Sequence, residues 1–235
     1  MKALYNLFLC CGLCLTATAQ IEPGQWLLSG SFSADSDSDG GITGSTTGFN
    51  SLSGTVGISL FKQITQKNAW GGSIFVFGSS QDRTYSSGSD DEVTNQLGLN
   101  IGPSFRTTYT EWKAVNVYSE TDLAYTYRKN EFTNFFSQGS KAFERSTTSH
   151  GAGISIRPGL QVKISERFLA TASFILFSLD YSNSTVQESY FSSLDQSVTD
   201  QIGRVENRVE TFFFPSFSFN SLSFGVVLLL GPGTK

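Results

Sequence analysis

The chain has 235 residues, of which 39% are hydrophobic, 15% charged and 14% aromatic, and its formal charge is −4. That many aromatic residues with so little net charge exclude a disordered chain, and beyond the N-terminus no apolar run reaches the roughly 20 residues of a membrane helix. Mild acidity argues against nucleic acid as a partner, while scarce charge and abundant Gly, Ser, Thr and Phe point to β structure.

Met1 to Gln20 reads as an export signal. Lys2 supplies the positive region, Leu4 to Leu15 the apolar region, and Ala17-Thr18-Ala19 the small residues for cleavage after Ala19. Leu9 before Cys10 and Leu13 before Cys14 are poor residues for a lipoprotein cleavage site. Losing residues 1–19 leaves a single domain over 20–235, with 216 residues and a charge of −5. Cys10, Cys11 and Cys14 all leave with the signal, so no disulfide or thiol chemistry is expected.

Eight strands follow in order: Trp26–Asp35, Leu52–Lys62, Trp70–Tyr85, Val93–Arg106, Ala114–Arg128, Gly151–Lys163, Phe168–Ser182 and Val209–Leu230. The second alternates Leu52, Val56, Ile58 and Leu60 with Ser53, Thr55, Gly57 and Ser59. The fourth sets Leu97, Leu99, Ile101 and Phe105 against Gln96, Asn100, Ser104 and Arg106. In the sixth, Ala152, Ile154, Ile156 and Leu160 oppose Ser155, Arg157, Gln161 and Lys163. Period-two alternation gives one apolar and one polar face per strand. The last strand slips phase near Asn220, which predicts a bulge or a protruding end.

The polar face lacks the Lys and Glu that coat a water-facing sheet, and its small polar residues suit a crowded barrel interior. An apolar outside with a polar inside is the dyad pattern of an outer-membrane barrel. Connections Ile64–Asn68, Thr107–Lys113 and Ile164–Arg167 are short, whereas Ser36–Asn50, Ser86–Glu92, Lys129–His150 and Asn183–Arg208 are mostly long and polar. The fold expected is an all-β, eight-stranded antiparallel up-and-down transmembrane β-barrel behind a cleaved signal peptide.

With this strand count, loop asymmetry and segments such as Leu97-Gly98-Leu99-Asn100-Ile101-Gly102-Pro103-Ser104-Phe105, the chain resembles the small outer-membrane β-barrel proteins of Gram-negative bacteria. It is similar to the OmpA transmembrane domain and to OmpX-type barrels over nearly all the mature chain. It departs from them at the C-terminus, which ends Gly231-Pro232-Gly233-Thr234-Lys235 without a final aromatic residue. The resemblance implies an outer-membrane location, insertion by the outer-membrane insertion machinery, contact with lipids and lipopolysaccharide, and a monomer. It implies a structural or surface-presenting role and no catalytic motif.

Several charges fall in the inward register: Arg106, Glu120, Asp122, Arg128, Arg157 and Lys163. Pairing the fifth and sixth strands brings Glu120 and Asp122 to Arg157, and buried charges must pair. A salt-bridged plug is expected, with a narrow channel for ions or small hydrophilic solutes as the alternative. Asp35-Ser36-Asp37-Ser38-Asp39-Gly40 has the start of a calcium loop, but position twelve is Thr46 instead of Glu. A Ca2+ site at Asp35, Asp37 and Asp39 is therefore set against a solvated acidic loop, and no other cofactor is expected.

His150, beside Ser149 and near Glu144, raises an outer-membrane lipid-modifying enzyme; no serine follows two residues on, so a rim histidine is the reading preferred. Trp26, Trp70, Trp112, Tyr109, Tyr125 and Tyr127 lie near strand ends, as interfacial aromatics do. Phe132, Phe135, Phe136 and Phe143 cluster in the third long loop, to pack there or on lipopolysaccharide, or to meet an extracellular protein or glycan.

Overall fold

The computed structural model describes residues 21–39, 46–85, 91–112, 115–135, 141–191, 198–213 and 222–231. The signal segment, Phe136 and the phase slip near Asn220 lie outside the described residues. Ten strands form one antiparallel sheet: β1 Trp26–Asp39, β2 Thr46–Gln63, β3 Asn68–Tyr85, β4 Glu92–Trp112, β5 Val115–Phe135, β6 Lys141–Lys163, β7 Phe168–Phe174, β8 Phe177–Phe191, β9 Val198–Phe213 and β10 Leu222–Leu230.

They occupy eight positions in a ring. β7 and β8 run one after the other along β6, and β10 pairs with both β7 and β1, which closes the sheet. A walk through paired residues, Leu160, Ala172, Phe224, Phe32, Val56, Val76, Leu99, Tyr127 and His150, returns to β6 ten residues from its start. That is a shear of ten; with a rise of about 3.3 Å and strands about 4.8 Å apart, it tilts them by about 41°.

The seventh position is not one continuous strand. Between the pairs Ile156–Phe177 and Gly159–Ser173, β6 spends two residues and the seventh position three. The extra residue is a bulge at Ile175–Leu176, bridged by the Leu176 amide donating to the Ile156 carbonyl. It flips the alternation, so Phe168, Ala170 and Ala172 before it and Leu179 and Tyr181 after it face the same way. The eighth position is likewise divided into β9 and β10, and its outward parity changes from Val205 to Phe224 and Val226.

Two long connections are paired strand instead of loop. Lys129–Phe135 pairs with Lys141–Thr148, and Asn183–Phe191 pairs with Val198–Asn207, so β5 and β6 reach 21 and 23 residues. Where the outward face of a hairpin is polar and the inward face mixes charged with aromatic residues, hydrophobic alternation vanishes although Thr, Phe and Val still favour the extended backbone. The opposite end has tight turns. Ile64 donates to Asn68 O and Ile164 to Phe168 O, while Thr65 and Ser165 hydroxyls accept the Asn68 and Phe168 amides.

Burial is inverted relative to a water-soluble protein. Leu52, Val56, Ile58, Leu97, Leu123 and Leu160 are exposed, while Ser59, Ser73, Ser104, Thr108, Asn116 and Gln161 are buried. The apolar stretch covers about ten residues per strand, Leu52 to Leu60 on β2 and Ala152 to Val162 on β6. Outside it the outward residues turn polar, as at Asn50, Lys129 and Asn183.

Candidate functional site

The lumen is filled in tiers from the short-turn end. Ile21, Leu27, Phe61, Ala69, Leu169 and Val227 form an apolar floor, each 6% exposed or less. Directly above it the structure brings Arg106, Glu120, Asp122 and Arg157 together, as β4–β5 and β5–β6 register requires by pairing Glu120 with both arginines. Arg106 binds Glu120 through Nε at 2.9 Å and through Nη2. Arg157 Nη2 lies 3.1 Å from Glu120 Oε2 and 2.7 Å from Asp122 Oδ2, to which Nε also donates at 2.9 Å. Ser104 donates to the other Asp122 oxygen at 2.5 Å. Two cations and two anions make the cluster neutral, and its members are 2–9% exposed. Of the other inward charges, Arg128 stacks on Phe77 higher in the lumen and Lys163 stands near the short-turn end.

The arginines also lie over aromatic rings that sequence reading passed over. Arg106 is 4.6 Å from the Tyr118 centroid and 4.8 Å from that of Phe61, Arg157 is 4.3 Å from Phe75, and Arg128 is 5.6 Å from Phe77. Tyr118, Phe75 and Phe77 each pair across strands with a glycine, Gly159, Gly57 and Gly98 respectively. The ring occupies the space a Cβ would take: one built on Gly98 would come within 2.1 Å of Phe77. The readable signal is an aromatic in the polar register opposite a glycine. Gly98→Val should therefore lower the unfolding free energy by about 1–3 kcal/mol through overpacking. Urea denaturation checks this against Gly72→Val, whose Cβ would approach nothing closer than 3.4 Å.

Above the cluster the lumen widens into a cavity of about 670 Å3 that Asp122 and Arg157 floor and Ser, Thr, Asn and Gln side chains wall. On the same inner face further out, Phe143 packs on Phe132 at 6.0 Å and on Tyr190 at 4.9 Å. Glu188, 4% exposed, is held by Arg145 at 2.7 Å and Arg204 at 3.3 Å. The predicted loop aromatics are thus split: Phe132 and Phe143 face inward on the raised hairpin, and Phe135 ends β5 opposite Lys141.

Asp35, Asp37 and Asp39 all lie in strand: β1 continues past Asp35, where the first strand was expected to end, so Asp37 and Asp39 are corrected from a loop. They pair with Ser53, Ser51 and Phe49 of β2, and an extended backbone spaces alternate residues along a line where a calcium loop curls them round one ion. Among the described residues no group of three His, Cys, Asp or Glu side chains is placed to hold a metal ion.

His150 faces outward, its Nδ1 2.6 Å from Tyr125 Oη and its ring 5.2 Å from that of Tyr127. Ser149 faces inward and meets Ser184 at 2.7 Å, while Glu144 binds Lys141. The three candidates for a triad do not meet. Trp26 and Trp70 flank Lys62 at the short-turn edge of the apolar zone, where Tyr109 meets Ser119; Tyr125 and Tyr127 mark the other edge, and the Trp112 side chain lies outside the described residues.

No protein-family model and no curated protein matches the chain. Among solved structures it is similar to the outer membrane protein OprG from Pseudomonas aeruginosa, at 14% identity and a TM-score of 0.41, over 91% of this chain and 99% of OprG. It is also similar to the ferric yersiniabactin uptake receptor FyuA from Yersinia pestis, at 13% identity and a TM-score of 0.39, over 80% of this chain and 32% of the receptor. A third likeness is to the transport unit of the autotransporter AIDA-I from Escherichia coli, at 10% identity and a TM-score of 0.31, over 96% and 95% of the two chains. All three likenesses are distant.

Proposed function

We propose that the protein is an integral outer-membrane β-barrel of a Gram-negative bacterium, exported by a cleaved signal, with its lumen sealed and its raised hairpins presented outward. Its role is structural or surface-interactive, and it is a monomer in contact with lipid and lipopolysaccharide. The observation that carries this reading is the outward apolar zone, about ten residues long on each strand, around a polar interior. A strand tilted by about 45° needs roughly 9–11 residues to cross a bilayer. Eight strands around an interior that side chains close at its short-turn end also support kinship with OmpA- and OmpX-type barrels.

Detergent extraction of outer membranes followed by electrophoresis, unheated and boiled, tests the location. The protein is expected in the outer-membrane fraction with a heat-dependent shift in mobility; recovery as a soluble periplasmic protein would overturn the reading. A sealed lumen also predicts planar bilayers without stable unitary conductance. The apolar floor and the neutral cluster above it support a plug over the channel alternative. The opposed directions of Ser149 and His150 weigh against a lipid-modifying enzyme, and His150→Ala is expected to leave the cell's lipid A pattern unchanged.

A further inference from the structure

The lower half of the lumen is charged and the upper half hydroxylated, and a buried polar atom without a protein partner occurs in both, Gln161 Nε2 being the one in the lower half. In the lower half the charges meet one another, and Ser73, Ser104 and Ser155 all reach Asp122. In the upper half the cavity of about 670 Å3 is walled by hydroxyls, among them Ser31, Ser33, Ser53, Ser79, Thr126 and Ser178. Asn100 Oδ1 lines it, buried, and receives no hydrogen bond from the protein. Asn130 Oδ1, one inward position beyond Arg128, is in the same condition. A buried acceptor without a donor is unusual enough to require a partner.

We propose that this cup is a binding site for a small neutral carbohydrate, a mono- or disaccharide, admitted from the side of the raised hairpins. The volume falls within the roughly 300–1,000 Å3 of small-molecule sites. Beside Phe75, Phe77, Ile154 and Ile175 the wall offers hydroxyls and amides that both donate and accept, which is what a polyol with one apolar ring face requires. The charges on the cup floor already neutralise each other, so a strongly charged solute gains little there. Wall charges of both signs, Asp35, Arg128 and Asp180, likewise give no field of a single sign. The rings of Phe132, Phe143 and Tyr190 stand further out on the same face, where the apolar side of a sugar ring can rest.

The outward direction of the cup rests on the outer-membrane reading, so the test begins from full-length protein already shown to be heat-modifiable. This protein in detergent is titrated with glucose and maltose, and in parallel with glycine and glutamate, by calorimetry and by amide chemical shifts. Saturable sugar binding is expected, weakened about tenfold by Asn100→Leu or Thr126→Val through loss of a hydrogen bond. Binding should be abolished by Ser53→Trp, which fills the cup, with heat-modifiability retained in every variant compared. Absence of saturation with either sugar overturns the inference, as does preference for glycine or glutamate, or sugar binding that survives Ser53→Trp. Failure of the wild-type barrel to shift on heating would instead overturn the membrane reading.

Discussion

Replacing Arg157 with alanine is expected to destabilise the protein by about 3–5 kcal/mol, the usual cost of removing one partner from a buried ion pair. Arg157 joins Glu120 to Asp122, so its loss leaves Asp122 with hydroxyl donors only and Glu120 with Arg106 alone. The cost falls on the carboxylates left behind. Arg157→Ala combined with Asp122→Ala is therefore expected to cost less than the sum of the single changes. Converting all four charged residues to apolar residues of similar volume is expected to be close to neutral. Urea titrations of the four proteins provide the cycle, and additive losses would sink the coupling. Conductance should stay absent in Arg157→Ala, because Leu27, Phe61, Leu169 and Val227 still close the lumen beneath it.

The legible part of this protein is the part where an apolar face and a polar face divide each strand. Ile58 and Ser59, Ile101 and Gly102, Leu160 and Gln161 betray their faces because each pair divides between an apolar and a polar environment. Hairpin pairing then placed Glu120 opposite Arg157 without further information. In Lys129–Phe135 and Asn183–Phe191 the outward face is polar and the inward face mixes Phe132, Val186 and Tyr190 with Arg145, Glu188 and Arg204, so the ladder leaves no simple hydrophobic period. Asp35, Asp37 and Asp39 alternate with Ser36 and Ser38, and the same residue types serve a turn or a strand edge. The bulge at Ile175–Leu176 was hidden because apolar residues on either side of it keep a continuous outer face while changing parity. Tyr118, Phe75 and Phe77 sit in the polar register, where their packing over arginines depends on glycines contributed by other strands. Only three-dimensional register joins those residues.

Val56→Arg is expected to destabilise the membrane-embedded protein by about 2–4 kcal/mol, whereas Leu52→Arg should cost roughly 0–1 kcal/mol. The two side chains are almost equally accessible, at 62% and 63%, and stand four residues apart on the same face of β2. In water they would be equivalent, and each substitution would fall within about 0.5 kcal/mol of wild type. A bilayer distinguishes them by depth. Val56 pairs with Phe32 and Val76 in the middle of the apolar zone, while Leu52 pairs with Ser36 and Ser80 at its edge. Arginine at residue 52 can extend its guanidinium into the polar boundary, but from residue 56 it must leave its charge in hydrocarbon or distort the bilayer. Reversible urea unfolding in lipid vesicles measures the difference directly. A large, depth-dependent gap between equally exposed positions arises from a lipid solvent alone, and equal costs would return the exposed apolar face to water.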